Sequence, residues 1–454
     1  MMKADIIVLG GGPGGYLAAE RAGAAGKKVV LIEKNALGGT CLNEGCIPSK
    51  ALLNSAKIFQ HAKEGAVFGV LTEDIKLDTE QVINHKNQVV NALVSGVCAM
   101  MDANGVHVVS EFGYVEGKTE EGFVVKAGAE TYSADTLILA SGSVPVIPPI
   151  PGLKEGVADG TVWTNREALD ATKLPEKLVV IGGGVIGLEM ASYYAMSGVN
   201  VTIVEMMDKI AGPMEREVSD ILLRAYRRKG VKFKLGCKVT GVTPEGVLYE
   251  KNGEEKLEEA DQILCAIGRR PYTENMGLEN LGLEMNRSAV VTDDHLRTNV
   301  DGVYAVGDIN GKVMLAHTAY REAEVAVNNI LGKEDRMDYS TIPSVIYTDP
   351  EVAGVGESEE SAEKKGMKVR SVSLSMNYSG RYLAEVQQGD GICKLIVNEE
   401  DNTVVGVHMI GSYASEIILA AELMITSHKT VPELQKLVFP HPTVGEIIRE
   451  TLFL

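Results

Sequence analysis

Two cysteines, Cys41 and Cys46, stand five positions apart in the string Gly38-Gly39-Thr40-Cys41-Leu42-Asn43-Glu44-Gly45-Cys46-Ile47-Pro48-Ser49-Lys50. Thiols at close range can cycle between dithiol and disulfide, and so take up or pass on two electrons. The spacing sets a geometric condition. On an ideal helix, residues five apart have Cα atoms roughly 8.6 Å apart, from a rise of about 1.5 Å and a turn of about 100° per residue. A disulfide tolerates at most about 7 Å. If these thiols bridge, the backbone between them must depart from a helix, and Gly45 is the residue best able to allow that. A bridge in distorted backbone should be easier to reduce than a structural one. The alternative is a pair of buried, reduced cysteines on the wall of a helix.

A second chemical group lies near the carboxyl terminus, in His441-Pro442-Thr443-Val444-Gly445-Glu446. Thiol chemistry needs such a group. Ordinary thiols, with pKa about 8.5, are mostly protonated at neutral pH, and attack requires the thiolate. His441 can accept that proton. Glu446 can orient the imidazole and stabilise its charged form.

The elements that must position these groups repeat within the chain. The apolar run Ile6 to Leu9 leads into Gly10-Gly11-Gly12-Pro13-Gly14-Gly15, an Ala-rich helical stretch from Tyr16 to Ala25, and the strand Val29 to Ile32 ending at Glu33. The same plan recurs from Leu178 to Ile181. There the turn is Gly182-Gly183-Gly184-Val185-Ile186-Gly187, the helix continues through Tyr194, and the strand Val201 to Val204 ends at Glu205. A lone G-x-G-x-x-G is weak. Gly10, Gly12 and Gly15, and again Gly182, Gly184 and Gly187, each follow a strand, open a helix and precede an acid at the next strand end. Such a turn lets backbone approach a pyrophosphate at a helix N-terminus, with the acid accepting from a ribose. Two dinucleotides are implied. No Arg lies in Glu205-Met206-Met207-Asp208, so Glu205 favours the free 2′-hydroxyl of NAD over the phosphate of NADP.

At 454 residues the chain should hold several domains. Its 49 glycines suit an α/β protein with many tight strand-to-helix turns. The net charge of −18, with no basic cluster, argues against nucleic acid and anionic membrane surfaces as partners. Of six cysteines, Cys98, Cys237, Cys265 and Cys393 are scattered, which fits reduced, structural thiols in a reducing cytoplasm. The amino terminus runs straight into a strand without a signal peptide. No uninterrupted apolar run of about 20 residues is present to span a membrane. Pro145, Pro148, Pro149 and Pro151 mark a boundary between the two repeats. After Leu331, strands at Val345–Tyr347, Cys393–Val397 and Val404–Ile410 and helices from Ser415 to Ser427 and from Val444 to the end read as an α+β domain.

Cys41-Leu42-Asn43-x-Gly45-Cys46-Ile47-Pro48-x-Lys50 resembles the redox-disulfide signature of the pyridine nucleotide-disulfide oxidoreductases, most of all the dihydrolipoamide dehydrogenase branch. The resembling motifs run from Gly10 to Glu446 in family order. The resemblance implies an α/β fold class: two Rossmann-like dinucleotide-binding folds plus a C-terminal α+β dimerisation domain. The implied ranges are an FAD-binding domain over 1–145, an NAD-binding domain over 146–270, a central segment returning to FAD over 271–338, and an interface domain over 339–454. The implied activity is reoxidation of a dihydrolipoyl group, carried on an acyltransferase or lipoyl carrier protein, with FAD and NAD as cofactors.

Further strings carry implied roles. Thr298-Asn299-Val300-Asp301-Gly302-Val303-Tyr304-Ala305-Val306-Gly307-Asp308 resembles a flavin signature, in which Asp308 binds the ribityl chain. Met314-Leu315-Ala316-His317 resembles a flavin-lining segment; Ala316 belongs to it, and His317 is given no catalytic role. Leu137-Ile138-Leu139-Ala140-Ser141-Gly142-Ser143 resembles the strand-turn closing the flavin fold, with Ser141 where Thr is usual, and the stretch from Ile263 through Gly268 to Pro271 is its counterpart after the NAD fold. By the same resemblance Lys50 lies near the flavin N5 atom and pairs with Glu189, Cys41 is the interchange cysteine, Cys46 faces the flavin, and His441 with Glu446 serves the disulfide of the other subunit of a homodimer. Electrons then pass from Cys46 to FAD and on to NAD. No metal is implied. One departure stands out: the branch commonly has His-Ala before the catalytic His, and this chain has Phe439-Pro440, which bears on the substrate wall. Reductases of glutathione or mercuric ion, or a silent FAD-binding scaffold, are the competing readings. Glu205, a carboxyl terminus without a cysteine pair, and intact Cys41, Cys46 and His441 argue against them.

Overall fold

The computed structural model describes residues 1–386 and 389–454. Two compact units are present. The first comprises Met1–Ala51, Ile83–Val146 and Gly268–Tyr339; the second comprises Leu52–Val82, Ile147–Ile267 and Ser340–Leu454.

In the first unit, strand β1 (Met2–Leu9) leads through helix α1 (Pro13–Ala24) to β2 (Val29–Ile32). β1 and β2 are parallel, with Ile6 opposite Val29 and Leu9 opposite Ile32. A parallel pair needs a crossover, and α1 supplies it. Helices α2 (Gly39–Glu44), α3 (Cys46–Glu64) and α4 (Thr79–Ala103) follow, then β3 (His107–Val109), β4 (Gly113–Thr119), β5 (Gly122–Ala127) and β6 (Glu130–Leu139). The sheet order is β3-β2-β1-β6-β5-β4. β6 is long enough to serve several neighbours. Its first half pairs antiparallel with β5, and Leu137 to Leu139 pair in parallel with the strand Val303–Ala305. Ile7, Leu9, Phe123, Tyr132, Leu137 and Val303 are buried in one cluster on this sheet.

β1 begins at Met2, ahead of the apolar run that marks it in the sequence. The reason is pairing rather than hydropathy, since Met2, Lys3 and Ala4 lie opposite Tyr132, Ser133 and Ala134 of β6.

The second unit repeats the plan with strand Lys177–Ile181, helix Val185–Met196 and strand Asn200–Glu205. Five parallel strands lie in the order Lys232–Leu235, Asn200–Glu205, Lys177–Ile181, Gln262–Cys265, Val162–Trp163. From residue 340 onward the architecture changes to an antiparallel sheet, ordered Ser344–Ile346, Val352–Gly356, Val404–Ile410, Ile392–Asn398, Val369–Ser375. The helices Ala414–Thr426 and Glu446–Leu452 bury Ile418, Ile447 and Ile448 in the core cluster of that sheet. This is the α/β class read from the sequence, with two Rossmann-like folds and an α+β domain. The last helix starts at Glu446, not at Val444. The turn before it is closed by bonds three residues apart, Ile447 N to Val444 O and Ile448 N to Gly445 O, so an α-helical repeat is established only afterwards.

Candidate active site

The helix breaks between the two cysteines. α2 ends at Glu44, α3 starts at Cys46, and Gly45 between them has φ −152° and ψ −107°, far from helical values. The condition set by the five-residue spacing is therefore met at the residue best suited to it. A Cβ at Gly45 would lie 3.0 Å from the Thr40 carbonyl oxygen, which is too close for an unshifted backbone. Asn43 pins the short helix by donating to the carbonyls of Leu37 and Gly39 at 3.0 and 2.9 Å. Cys41 and Cys46 are half-buried thiols. The neighbouring Cys46 thiol, together with burial, pushes the Cys41 thiol well above its ordinary range, and Lys50 pulls it the other way.

Upstream of this pair lies the first glycine turn, and the second unit holds its copy. Gly10 and Gly182 have φ +107° and +106°, where a side chain would be strained. A Cβ on them would lie 2.3 Å from Ala140 O and 2.6 Å from Ala266 O. At Gly15 and Gly187 a Cβ would lie 1.8 Å from Gly10 O and 2.2 Å from Gly182 O. The outer glycines are thus required by packing of the fold itself. The middle ones are not: Gly12 has only the Gly39 Cα at 3.8 Å, and Gly184 has no atom within 4 Å among those described. Both cap a 12-residue helix without a side-chain cap. An open cradle before uncapped amides fits a pyrophosphate.

The acids at the strand ends also match. Glu33 accepts from Gly11 N at 2.7 Å and from Asn35 N at 2.8 Å. Glu205 accepts from Gly183 N and Met207 N, both at 2.7 Å. Each carboxylate holds its glycine turn against the end of its strand, and each oxygen keeps a lone pair for a ribose hydroxyl.

Asp308 lies in the turn Gly307–Asn310 that follows Val303–Ala305. Burial pushes its carboxyl up, against the pull of Ser143 and Arg269. Ser143 Oγ donates to Asp308 at 2.5 Å and accepts from Arg269 Nε at 2.8 Å. Arg269 also reaches Thr40 Oγ1 at 3.4 Å, the residue before Cys41. The strands Ser143–Pro145 and Arg269–Pro271 pair antiparallel, and that pairing brings residues 126 positions apart into contact. Ser143 and Arg269 carry no role in the sequence reading, although both lie inside strings it singled out.

Glu322 was missed altogether. It sits in the helix Ala316–Ile330, whose first residue is Ala316, and is fully buried. Its carboxylate accepts from Gly307 N at 2.5 Å and from Tyr339 OH at 2.7 Å. Burial pushes its pKa up, against those bonds. It anchors the turn that carries Asp308. No local signal distinguishes it from any helical Glu.

The remaining residues fall as follows. Ser141 Oγ donates to Tyr272 O at 2.6 Å. Gly142 and Gly268 have φ +71° and +120°, and no described atom lies within 4 Å of a Cβ on either. Glu189 is buried and accepts from Tyr347 N at 3.0 Å. His441 Nδ1 lies 2.6 Å from Glu446 Oε1, with 78% of the His side chain and 17% of the Glu side chain exposed. The other Glu446 oxygen accepts from Thr443 N at 2.7 Å. Partial burial works against ionisation of Glu446, but the Thr443 N–H and the imidazole outweigh it and hold the carboxyl below its ordinary value. Phe439 packs against the core of the C-terminal sheet. No helix among the described residues is long and apolar enough to cross a membrane.

Residues 4–323 match the family model described as pyridine nucleotide-disulphide oxidoreductase. The chain belongs to that family. Residues 342–452 match the dimerisation domain of the same family. Among curated relatives, the dihydrolipoyl dehydrogenase of Bacillus subtilis is 38% identical, with 99% of this chain and 96% of that protein covered. The dihydrolipoyl dehydrogenase of Geobacillus stearothermophilus is 37% identical over 99% of this chain and 95% of its own. Among solved structures, LpdA from Mycobacterium tuberculosis superposes with a TM-score of 0.90 at 26% identity, covering 100% of this chain and 99% of that one.

Proposed function

We propose that this protein reoxidises protein-bound dihydrolipoamide, using the Cys41–Cys46 pair, FAD and NAD, as a dihydrolipoyl dehydrogenase. The observation that carries the reading is a thiol pair across a helix break, in a chain whose relatives over 99% of its length bear that activity in their names. The two cradles supply the cofactor sites: Gly10, Gly12, Gly15 and Glu33 with Ser141, Gly142, Asp308 and Ala316 for FAD, and Gly182, Gly184, Gly187, Glu205 and Gly268 for NAD. The division into an FAD domain, an NAD domain, a central segment and an interface domain belongs to the same reading.

His441 takes the proton from a thiol of the reduced lipoyl group, and Glu446 stabilises the imidazolium. The lipoyl thiolate attacks Cys41 of the disulfide, the S–S bond breaks, and Cys46 leaves as a thiolate. The second lipoyl thiol attacks the mixed disulfide and departs as part of oxidised lipoyl. Two electrons and two protons have then moved from the lipoyl group to the chain. Bound FAD supplies the route by which that electron pair reaches NAD. Lys50, whose charge pulls on the neighbouring Cys41 thiol against Cys46 and burial, places positive charge where electron density must arrive. The dimerisation-domain match supports a homodimer, and the substrate partner is a lipoylated acyltransferase or lipoyl carrier protein. We assign it to the cytoplasm, where scattered thiols stay reduced. A steady-state assay with dihydrolipoamide and NAD, run against glutathione disulfide and mercuric ion with NADPH, tests the reading. Turnover of either alternative in place of dihydrolipoamide would overturn it.

Two cofactor predictions arise here. Glu205→Gln should narrow the NAD-to-NADP ratio of kcat/KM about tenfold, equivalent to removing about 1.4 kcal/mol of repulsion. A wild-type enzyme using both coenzymes equally would contradict the role given to Glu205. Glu322→Ala should weaken FAD retention about tenfold, because it strands the Gly307 N–H in a buried site at a cost of about 1–3 kcal/mol. Glu322→Gln keeps an acceptor for Gly307 and should restore most of it. Fluorescence of released flavin measures both; an alanine variant that holds FAD like wild type removes Glu322 from the site.

A further inference from the structure

The two dinucleotide folds match at the glycine turn and the acid, then part company. After Glu33 come Lys34 and Asn35, and the Lys34 ammonium lies 4.3 Å from the centroid of the Tyr272 ring. After Glu205 come two methionines, Met206 and Met207, which are 64% and 58% exposed. Their backbone is not loose. Met207 donates its N–H to the Glu205 carboxylate at 2.7 Å, and its carbonyl accepts from Gly236 N at 2.9 Å. Beyond them, Ile210 is buried and Ala211 N donates to Gly183 O at 2.9 Å. The segment after the acid is therefore folded against the second glycine turn. Two exposed thioethers stand on fixed backbone beside the carboxylate assigned to the coenzyme ribose.

A thioether is apolar and polarisable, a good face for an aromatic base. Its sulfoxide is polar and chiral. We propose that Met206 and Met207 form a reversible oxidation site that weakens coenzyme binding at the second cradle. The proposal rests on the reading of that cradle as the NAD site. In the forward step, hydrogen peroxide transfers one oxygen atom to each sulfur. The thioether loses two electrons to become a sulfoxide, and the peroxide is reduced to water. In the reverse step, a dithiol reductant acting through methionine sulfoxide reductase gives up two electrons and two protons and becomes a disulfide, the sulfoxide sulfur returns to a thioether, and its oxygen leaves as water. The Cys41–Cys46 pair, held as a disulfide during exposure, presents no thiolate to the peroxide, so the two chemistries can be separated.

The test uses the FAD-loaded enzyme in its disulfide state, treated with hydrogen peroxide and then freed of it. Intact-peptide mass spectrometry should find one added oxygen on each of Met206 and Met207. The KM for NAD should rise about fivefold, within the range that loss of a sulfur–aromatic contact carries. Flavin reduction by dihydrolipoamide in a stopped-flow experiment without NAD should keep its rate. Methionine sulfoxide reductase should bring the KM back. In the double variant Met206→Leu/Met207→Leu, whatever its own KM, peroxide treatment should leave that KM where it was. Oxidation of both methionines with no change in KM overturns the proposal. So does absence of oxygen on both, or a KM rise of equal size in the double variant. If Glu205→Ala also leaves the NAD KM unchanged, the assignment of the cradle fails with it; if that variant raises KM while the sulfoxides do not, the proposal fails alone.

Discussion

Cys46→Ser abolishes turnover of dihydrolipoamide with NAD, by about 10⁴-fold or more, a loss of the size seen when a covalent nucleophile is removed. A serine oxygen cannot complete the disulfide, so Cys41 has no partner to displace and the electron pair has no place in the chain. Cys46 opens α3 immediately after the break at Gly45. Serine keeps its size there and leaves the Ser49 hydroxyl its bond to the carbonyl of residue 46, which is 3.0 Å long in this structure. The fold should therefore survive. NADH-dependent reduction of a one-electron dye, which needs no disulfide, is the control and should persist. The long-wavelength absorbance expected of a thiolate against the flavin on two-electron reduction should vanish with the same substitution. Ordinary lipoamide turnover in this variant would end the disulfide mechanism.

The second large effect is a gain. Cys41→Ser and His441→Gln should each be nearly inactive alone. Unfolded together and reassembled at 1:1, they should recover roughly a quarter of wild-type activity. Random pairing makes about half of the dimers mixed, and in a closed twofold dimer each mixed molecule collects both lesions in one site and none in the other. The expectation requires His441 of one subunit to serve the cysteines of its partner. Two features of the chain support it: His441 is oriented by Glu446 yet has 78% of its side chain exposed, and its segment lies within the dimerisation-domain match. If each His441 served its own chain, every site would keep one lesion and nothing would return. Mixed dimers verified by mass, with no recovery, would exclude the shared site.

The parts legible in the sequence share a physical origin. The glycine turns could be read because the spacing of the glycines and the strand and helix that flank them lie inside a short stretch, although the atoms that exclude a Cβ at Gly10 and Gly182 belong to Ala140 and Ala266, far along the chain. Gly15 is needed where a Cβ would fall 1.8 Å from Gly10 O, five residues back. Buried parallel strands need unbroken apolar runs such as Val29 to Ile32. The arithmetic on helix rise and disulfide reach called for a break at Gly45 on the condition that the thiols bridge, and the break is present with both cysteines as thiols. His441 and Glu446 likewise meet across five positions. Where such local rules apply, residue type and spacing determine the backbone nearly alone.

Other features were decided only in three dimensions. Ser143 meets Arg269 across 126 positions, and Arg269 meets Thr40 across 229. Glu322 needs Tyr339 and a backbone amide of a turn that nothing in its own helix announces. The start of β1 waits on Tyr132 to Ala134 of β6. The two cradles, the place where the helix can break between the cysteines and the imidazole–carboxylate pair are legible locally, because chain sterics and hydropathy act over a few residues. Which buried polar groups hold the Asp308 turn depends on the packing of distant segments. A buried donor or acceptor must be satisfied by whatever group the packed sheets bring within about 3 Å, and sequence distance places no limit on which group that is.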